Sequence, residues 1–149
     1  MDGRDNFIAV MKKLLPIIII LLYCVPAHAG YKFTDQWNWK NTLLEGAFVA
    51  EVYVDLRQTL YIAENPNEYY ESVNPFLPRH PSKNQVWEAC IVGAGLHALV
   101  SMALKPVYHI EIGDYKKDFY ARTWWQGTTI ILEGANITRN KAIGIGFAF

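Results

Sequence analysis

The hydrophobic and polar positions of the chain follow a helical period in three long segments. Apolar residues dominate 42–63, 85–104 and 120–140, and residue types that begin or end helices flank these runs. Asn41 is placed to cap the first helix, and the Pro81-Ser82 pair is placed to open the second. The pattern predicts an all-α fold built from these three helices.

Each segment also carries polar or small residues on one helical face, three or four positions apart. They are Glu51, Asp55, Gln58 and Thr59 on the first segment, Gly93, His97 and Ser101 on the second, and Gln126, Thr129, Glu133, Asn136 and Asn140 on the third. In water such faces would turn to the solvent, whereas in a lipid bilayer they would turn to one another. We expect the bilayer arrangement, with a soluble periplasmic helical binding module as an alternative.

The second segment favours the bilayer most clearly. Residues 89–104 carry no charge, and a helix of about twenty residues matches the thickness of the hydrocarbon core. Gly93 and Gly95 are small enough to let another helix approach closely. Tryptophan is typical of membrane–water interfaces. Tryptophans stand near the expected helix ends at Trp37, Trp39, Trp87, Trp124 and Trp125. We therefore expect a three-helix membrane bundle.

The N-terminal segment 1–29 has the three parts of a secretory signal peptide. Lys12-Lys13 is the basic part, 14–23 is the apolar part, and Ala27-His28-Ala29 is the cleavage motif. Met11 is an alternative start, and the segment is expected either to be cleaved or to stay as an anchor. Residues 30–149 then form one domain in the bacterial cell envelope. The inner membrane is the expected location, with the periplasm and the outer membrane as alternatives.

The last residues of the chain alternate between large apolar side chains and small ones. Ile143, Ile145, Phe147 and Phe149 are separated by small residues, and a period of two is typical of a strand. We expect a short C-terminal strand or tail after the third helix.

Composition narrows the range of functions. Of the 149 residues, 52% are hydrophobic and 19% are charged, and the formal net charge is zero. Without a positive field the chain is not expected to bind nucleic acid. The expected partner is the lipid bilayer, together with a membrane protein or a second copy of the chain, and no cofactor is predicted. Removal of 1–29 would leave Cys90 alone, so no disulfide is expected within the mature chain.

Asp55, His97 and Glu133 are the residues best suited to chemistry. Carboxylate and imidazole groups bind divalent metals and transfer protons, so the three could form a metal site or an acid–base pair in an intramembrane enzyme. No HExxH-type spacing accompanies them, and no catalytic residue is assigned. The favoured hypothesis is a hydrogen-bond network between helices in which the histidine satisfies a carboxylate. A structural or binding role is expected rather than an enzyme.

Short polar motifs stand at several points of the chain. They are Asp55-x-x-Gln58-Thr59, Glu71-x-x-Asn74-Pro75-x-Leu77, His80-Pro81-Ser82, His97 and a Gly-x-Gly-Phe-x-Phe ending. Together they resemble an uncharacterised family of small multi-helix membrane proteins from bacteria and their phages, over nearly all of residues 30–149. The resemblance implies a compact membrane protein with a polar centre, and it brings no established activity. The candidate polar network comprises Asp55, Gln58, Glu71, Asn74, His80, His97, Glu133 and Asn136.

Overall fold

Three long helices dominate the fold. The computed structural model describes residues 36–148, so the expected signal peptide at 1–29 lies outside the described residues. Helix α1 is Trp39–Glu64, helix α2 is Lys83–Ala103 and helix α3 is Ala121–Ala142. The prediction of three helices is confirmed, and their ends differ from the expected ones by only a few residues.

An antiparallel hairpin joins α2 to α3, so the fold is mostly helical and contains a small two-stranded sheet that the all-α prediction did not include. Strand β1 is Tyr108–Ile112 and strand β2 is Tyr115–Phe119, with Tyr108 opposite Phe119 and Ile112 opposite Tyr115. Gly113 has a φ of 60° in the two-residue turn, a conformation that glycine adopts without strain. Aromatic and β-branched residues at alternate positions favour the two strands.

Asn38, and not Asn41, caps α1. The Asn38 side chain accepts hydrogen bonds from the backbone N–H groups of Lys40 and Asn41, and the Asn41 side chain accepts one from the Asn38 N–H. This reciprocal pairing starts the helix one turn earlier than expected. The side-chain nitrogen of Asn41 is not used in this cap, and it donates a hydrogen bond to α3. Ser82 caps α2 as expected, and Gln85 completes the same kind of reciprocal cap.

The C-terminal residues form a tail and not a strand. Ile145 and Ala148 are buried, and the Ala148 N–H donates to the carbonyl of Arg57 in α1 at 3.1 Å. Gly146 lies so close to α1 that an added Cβ would be 3.1 Å from the ring of Tyr61. A side chain at this point would require the Tyr61 ring to shift by a few tenths of an ångström.

Helix α1 is the centre of the bundle. It packs along both α2 and α3, whereas α2 and α3 touch each other at few points. The expected close approach of another helix to Gly93 and Gly95 is not seen among the described residues. A Cβ added at either glycine would have no atom of a neighbouring element within 4 Å. An apolar cluster fills one end of the bundle and contains Leu56, Leu60, Val86 and Ala148. Space remains between the middle of α2 and α3.

The interior of the bundle contains both apolar and polar side chains, and large apolar side chains lie on its outside. Its largest fully buried side chains are Arg122, Gln58, Gln126 and Ser101. On the outside, Ile91, Ile131 and Leu132 are 66%, 72% and 64% exposed. Among the described helices, α2 is the one long and apolar enough to cross a membrane, and 22% of its apolar stretch is buried.

Arg122 ties the start of α3 to the end of α2. Its Nε donates to the carbonyls of Ser101 at 2.9 Å and Leu104 at 3.1 Å, and its Nη2 donates to the Leu104 carbonyl at 2.7 Å. Its guanidinium carbon lies 5.4 Å from the ring centroid of Trp37. The last carbonyls of a helix have no partner inside the helix, so the buried guanidinium caps α2 at the negative end of its dipole.

We expect Arg122→Met to lower the free energy of unfolding by roughly 1–3 kcal/mol, because the carbonyls of Ser101 and Leu104 would stay buried without a donor. Unfolding of the purified protein, followed by circular dichroism, measures the change. The matched control is Arg139→Met, at the exposed end of the same helix, which should change stability by less than about 0.5 kcal/mol. Equal losses in the two variants would contradict the capping role of Arg122.

Candidate functional site

The polar faces of the three helices meet in two clusters. The histidine cluster consists of Asn41, Glu45, His97, Gln126 and Thr129. The aspartate cluster consists of Asp55, Gln58, Thr59, Asn136 and Asn140. The histidine cluster joins all three helices, whereas the aspartate cluster joins α1 to α3.

His97 is the centre of the histidine cluster. Its Nδ1 lies 2.8 Å from Oε1 of Glu45 in α1, and its Nε2 lies 2.8 Å from Oγ1 of Thr129 in α3. The imidazole is stacked between Phe48 and Trp125, with ring centroids 3.6 Å and 5.3 Å away. Both nitrogens and both faces of the ring are thus in contact with protein, and the residue is 4% exposed.

Gln126 extends this cluster from α3 to α1. Its Nε2 donates to Oε2 of Glu45 at 3.0 Å and to the backbone carbonyl of Asn41 at 3.2 Å, and its Oε1 accepts from Nδ2 of Asn41 at 3.2 Å. Glu45 therefore contacts a side chain from α2 with one oxygen and a side chain from α3 with the other. Both hydrogen-bonding ends of a fully buried amide are satisfied by α1.

The order of carboxylate, imidazole and hydroxyl in this cluster is the order found in nucleophilic triads. Here the hydroxyl of Thr129 also lies 2.9 Å from the carbonyl of Trp125, one turn earlier in α3. The stacked rings leave no approach to the faces of His97. The geometry suits a joint between helices better than attack on a substrate.

Asp55 is the centre of the aspartate cluster. Its Oδ1 accepts from Nδ2 of Asn136 at 2.8 Å and from Nδ2 of Asn140 at 3.3 Å, and its Oδ2 accepts from Oγ1 of Thr59 at 3.4 Å. Asn140 also donates to Oε1 of the fully buried Gln58 at 3.2 Å. One carboxylate of α1 thus holds two amides of α3 that are one turn apart.

A cavity of about 320 Å³ lies beside the aspartate cluster, bounded by all three helices and the 73–77 loop. Its polar groups come from Asp55, Thr59, Asn74, Glu133 and Asn136. Its apolar walls include Phe48, Val52, Ala89, Cys90, Gly93 and Leu132. The Oδ1 of Asn136 is itself buried and has no hydrogen-bond partner in the described part of the chain.

The structure brings several of the sequence-predicted site residues together. Asp55, Gln58 and Asn136 belong to the aspartate cluster, and Glu133 and Asn74 lie on the wall of the same cavity. The amide face that the sequence pattern indicated on α3 is thus turned towards α1.

The remaining predicted site residues lie elsewhere. Glu71 is in the loop after α1, where its Oε1 accepts from the N–H groups of Ser72, Val73 and Asn74 at 3.0, 2.8 and 3.0 Å. It therefore orders the loop that closes one side of the cavity. His80 is exposed in the same loop.

The structure gives no geometric support to a metal site that shares Asp55, His97 and Glu133. Within residues 36–148, no group of three or more His, Cys, Asp and Glu side chains could hold a metal ion. His97 is occupied by the histidine cluster, whereas the two acids line the cavity. The geometry instead places His97 between two hydrogen-bonding side chains of the other helices.

Sequence reasoning missed Glu45 and Asn41 as members of the polar interior. The sequence did contain a helical pattern that includes them. Spacings of four and three residues alternate along one face of α1, through Asn41, Glu45, Phe48, Val52, Asp55 and Thr59. Phe48 and Val52 interrupt the polar character in the middle of this face. They separate what the structure shows as two clusters on one side of α1.

No family model, curated protein or solved structure matches the chain. Its function is therefore inferred from the geometry of the two clusters and the cavity.

We expect Asn140→Leu to lower the free energy of unfolding by roughly 1–3 kcal/mol, because the buried Oε1 of Gln58 would lose its donor. The double variant with Gln58→Leu should lose less than the sum of the single losses, since the two amides bond to each other. Chemical unfolding of the purified proteins measures all three values. Asn84→Leu, an exposed amide in α2, is the control, and additive losses at positions 58 and 140 would contradict the shared hydrogen bond.

Proposed function

We propose that this chain is a helical membrane protein of the bacterial envelope whose cavity binds a small amphipathic molecule. The observation that carries the proposal is the combination of fully buried polar side chains, such as Gln58, Gln126 and Arg122, with exposed apolar ones, such as Ile91 and Ile131. In lipid, exposed apolar side chains contact acyl chains, and polar groups pair within the protein. In water, apolar faces of this extent are unfavourable.

The acidic residues of α1 and α3 are compatible with a membrane when they point inwards. A carboxylate that faced lipid at mid-bilayer would cost about 3 kcal/mol. Asp55 and Glu133 are instead partly buried on the wall of the open cavity between the helices. The amide contacts between α1 and α3 add about 1 kcal/mol each to helix association in a bilayer. These contacts support the proposal that α1 and α3 cross the membrane beside α2.

The two walls of the cavity indicate the chemistry of its ligand. Asp55 and Glu133 offer hydrogen-bond acceptors on one side. Cys90 and Leu132 offer an apolar surface on the other. A molecule with a donor end, such as a protonated amine, and a short apolar chain is complementary to both walls.

A soluble periplasmic binding module is the second candidate. It is favoured by the finding that, of the described helices, α2 meets the length and composition of a membrane span and the other two do not. The two candidates place the outer face of α2 in opposite environments, with Ile91 either in lipid or in water. An intramembrane enzyme or metal protein has weaker support, because His97 is enclosed by Phe48 and Trp125.

Membrane residence is tested with residues 1–29 replaced by a signal peptide that is known to be cleaved, so that the first apolar segment cannot act as an anchor. We expect the protein to stay in the membrane pellet after extraction with alkaline carbonate. Release into the periplasmic fraction as a monomer would overturn the proposal and favour the soluble module.

A charge on the outer face of α2 provides a second test of the same proposal. Ile91→Lys should reduce the membrane-inserted amount, because lysine near the centre of a span costs about 3 kcal/mol. Asn84→Lys, in the exposed first turn of α2, is the matched control and should insert normally. If Ile91→Lys raised the yield of soluble protein and left its fold intact, the outer face of α2 would be in water.

The cavity is tested through Cys90, which lies on its wall. In a Cys24→Ser background, we expect octylamine to slow alkylation of Cys90 by a small maleimide. Octanoate should not slow it, because its carboxylate would face Asp55 and Glu133. Asp55→Asn should weaken the protection by octylamine. Equal protection by the amine and the acid would contradict the proposed ligand class.

The control for this experiment is a cysteine on the lipid-facing surface. Ile131→Cys in a Cys90→Ala background reports shielding by the amphiphile outside the cavity, since position 131 is 72% exposed on α3. Octylamine should slow labelling at position 90 more than at position 131. Equal slowing at both positions would mean that the cavity has no role in the protection.

A further inference from the structure

The β1–β2 hairpin has one apolar and one polar face, and every residue in both strands is exposed. The cross-strand register places Tyr108, Ile110, Ile112, Tyr115, Lys117 and Phe119 on one face. The opposite face carries His109, Glu111, Lys116 and Asp118. The polar face is internally paired, with His109 Nδ1 2.7 Å from Asp118 Oδ1 and Lys116 Nζ 3.1 Å from Glu111 Oε1.

The described helices leave most of the apolar face of the hairpin uncovered, although the ring of Phe119 lies near α3. Ile112 is 71% exposed and Tyr115 is 56% exposed. A two-stranded hairpin is marginal in water when nothing covers its apolar face, and removal of that face from water is favourable. A covering environment would therefore stabilise the hairpin.

The position of the hairpin indicates what that environment is. Strand β1 follows the end of α2, the candidate membrane span, and β2 leads directly into α3. The hairpin thus stands at the end of the bundle where a spanning helix would meet lipid head groups. The ring of Phe119 lies 6.2 Å from the ring of Trp124, which is 60% exposed on the first turn of α3. The apolar face of the hairpin is therefore continuous with the outer face of α3.

The residue types on this face fit a lipid interface. Tyrosine and tryptophan are enriched where acyl chains meet head groups, because their rings are apolar and their polar atoms reach water. Lys117 is the charged residue on the apolar face. Its methylene chain can follow the apolar surface while its ammonium group reaches a phosphate. The acidic and basic residues of the hairpin are nearly equal in number, so the hairpin does not need a charged lipid surface and can bind a zwitterionic one.

We propose that the apolar face of the β1–β2 hairpin lies in the interfacial layer of the bilayer, with its polar face turned to water. This inference rests on the proposed membrane residence of the helices. It adds that the connection between α2 and α3 is itself a lipid-binding element that sets the depth of the bundle.

The test compares neighbouring positions on the two faces. In a Cys24→Ser, Cys90→Ala background, nitroxide labels are placed by Ile112→Cys on the apolar face and by Glu111→Cys on the polar face. The labelled full chain is reconstituted into phosphatidylcholine vesicles. Power saturation then measures the access of each label to oxygen, which concentrates in lipid, and to a water-soluble nickel chelate. We expect a several-fold higher ratio of oxygen to nickel access at position 112 than at position 111.

A third label separates this inference from the proposed function. Ile91→Cys reports the middle of α2, where the proposed function expects lipid. If position 91 is in lipid and position 112 is as open to nickel as position 111, the hairpin inference is overturned and the membrane placement stands. If positions 91 and 112 are both open to nickel, the membrane placement fails as well.

A second copy of the chain is the competing occupant of this face. Contact between two hairpins would broaden the spectrum of the position-112 label through spin–spin coupling. Dilution of the labelled protein with unlabelled protein would remove that broadening. Broadening of this kind, together with low access to both oxygen and nickel at position 112, would overturn the lipid assignment. A spectrum that does not change on dilution, with high oxygen access, supports it.

Discussion

The structure depends on polar groups that are buried between helices and find their partners on other helices. Glu45 shows the constraint most directly, because one of its oxygens contacts His97 of α2 and the other accepts from Gln126 of α3. A buried amide or carboxylate without a partner destabilises a fold by more than a typical hydrogen bond stabilises it. The register of α2 and α3 along α1 is therefore fixed by which polar side chains can meet. The small apolar cluster around Leu56 and Val86 supplements this arrangement at one end.

The sequence was sufficient to predict the helices and one half of the polar interior. The face from Gln126 to Asn140 recurs at helical spacing, so its side chains had to share one side of α3. The partner of His97 could not be predicted, because Phe48 and Val52 separate Glu45 from Asp55 along the same face of α1. Helical periodicity shows which residues share a face, but it does not show which residue of another helix lies opposite. That depends on the relative axial positions of the helices, which the periodicity of a single helix does not encode.

The hairpin and the cavity were missed for different physical reasons. The strands are short, and Lys117 interrupts the alternation of polar and apolar residues in β2, so a local pattern there is weak. The cavity is a property of three helices together. The aspartate cluster draws α3 onto α1, whereas Gly93 and Ala94 on α2 are too small to fill the space opposite. No single segment encodes such a gap, although each wall contains residues that the sequence pattern singled out.

The way the helices are joined also has a mechanical consequence. Helices α1 and α3 are held together at both clusters, whereas α2 reaches the polar interior through His97 and meets α3 at few points. Helix α2 is nevertheless held near both of its ends, by Val86 in the apolar cluster and by the bonds of Arg122 to the carbonyls of Ser101 and Leu104. The gap beside Cys90 therefore lies between two fixed points of α2, at the place where Gly93 and Ala94 have too little side chain to bridge it.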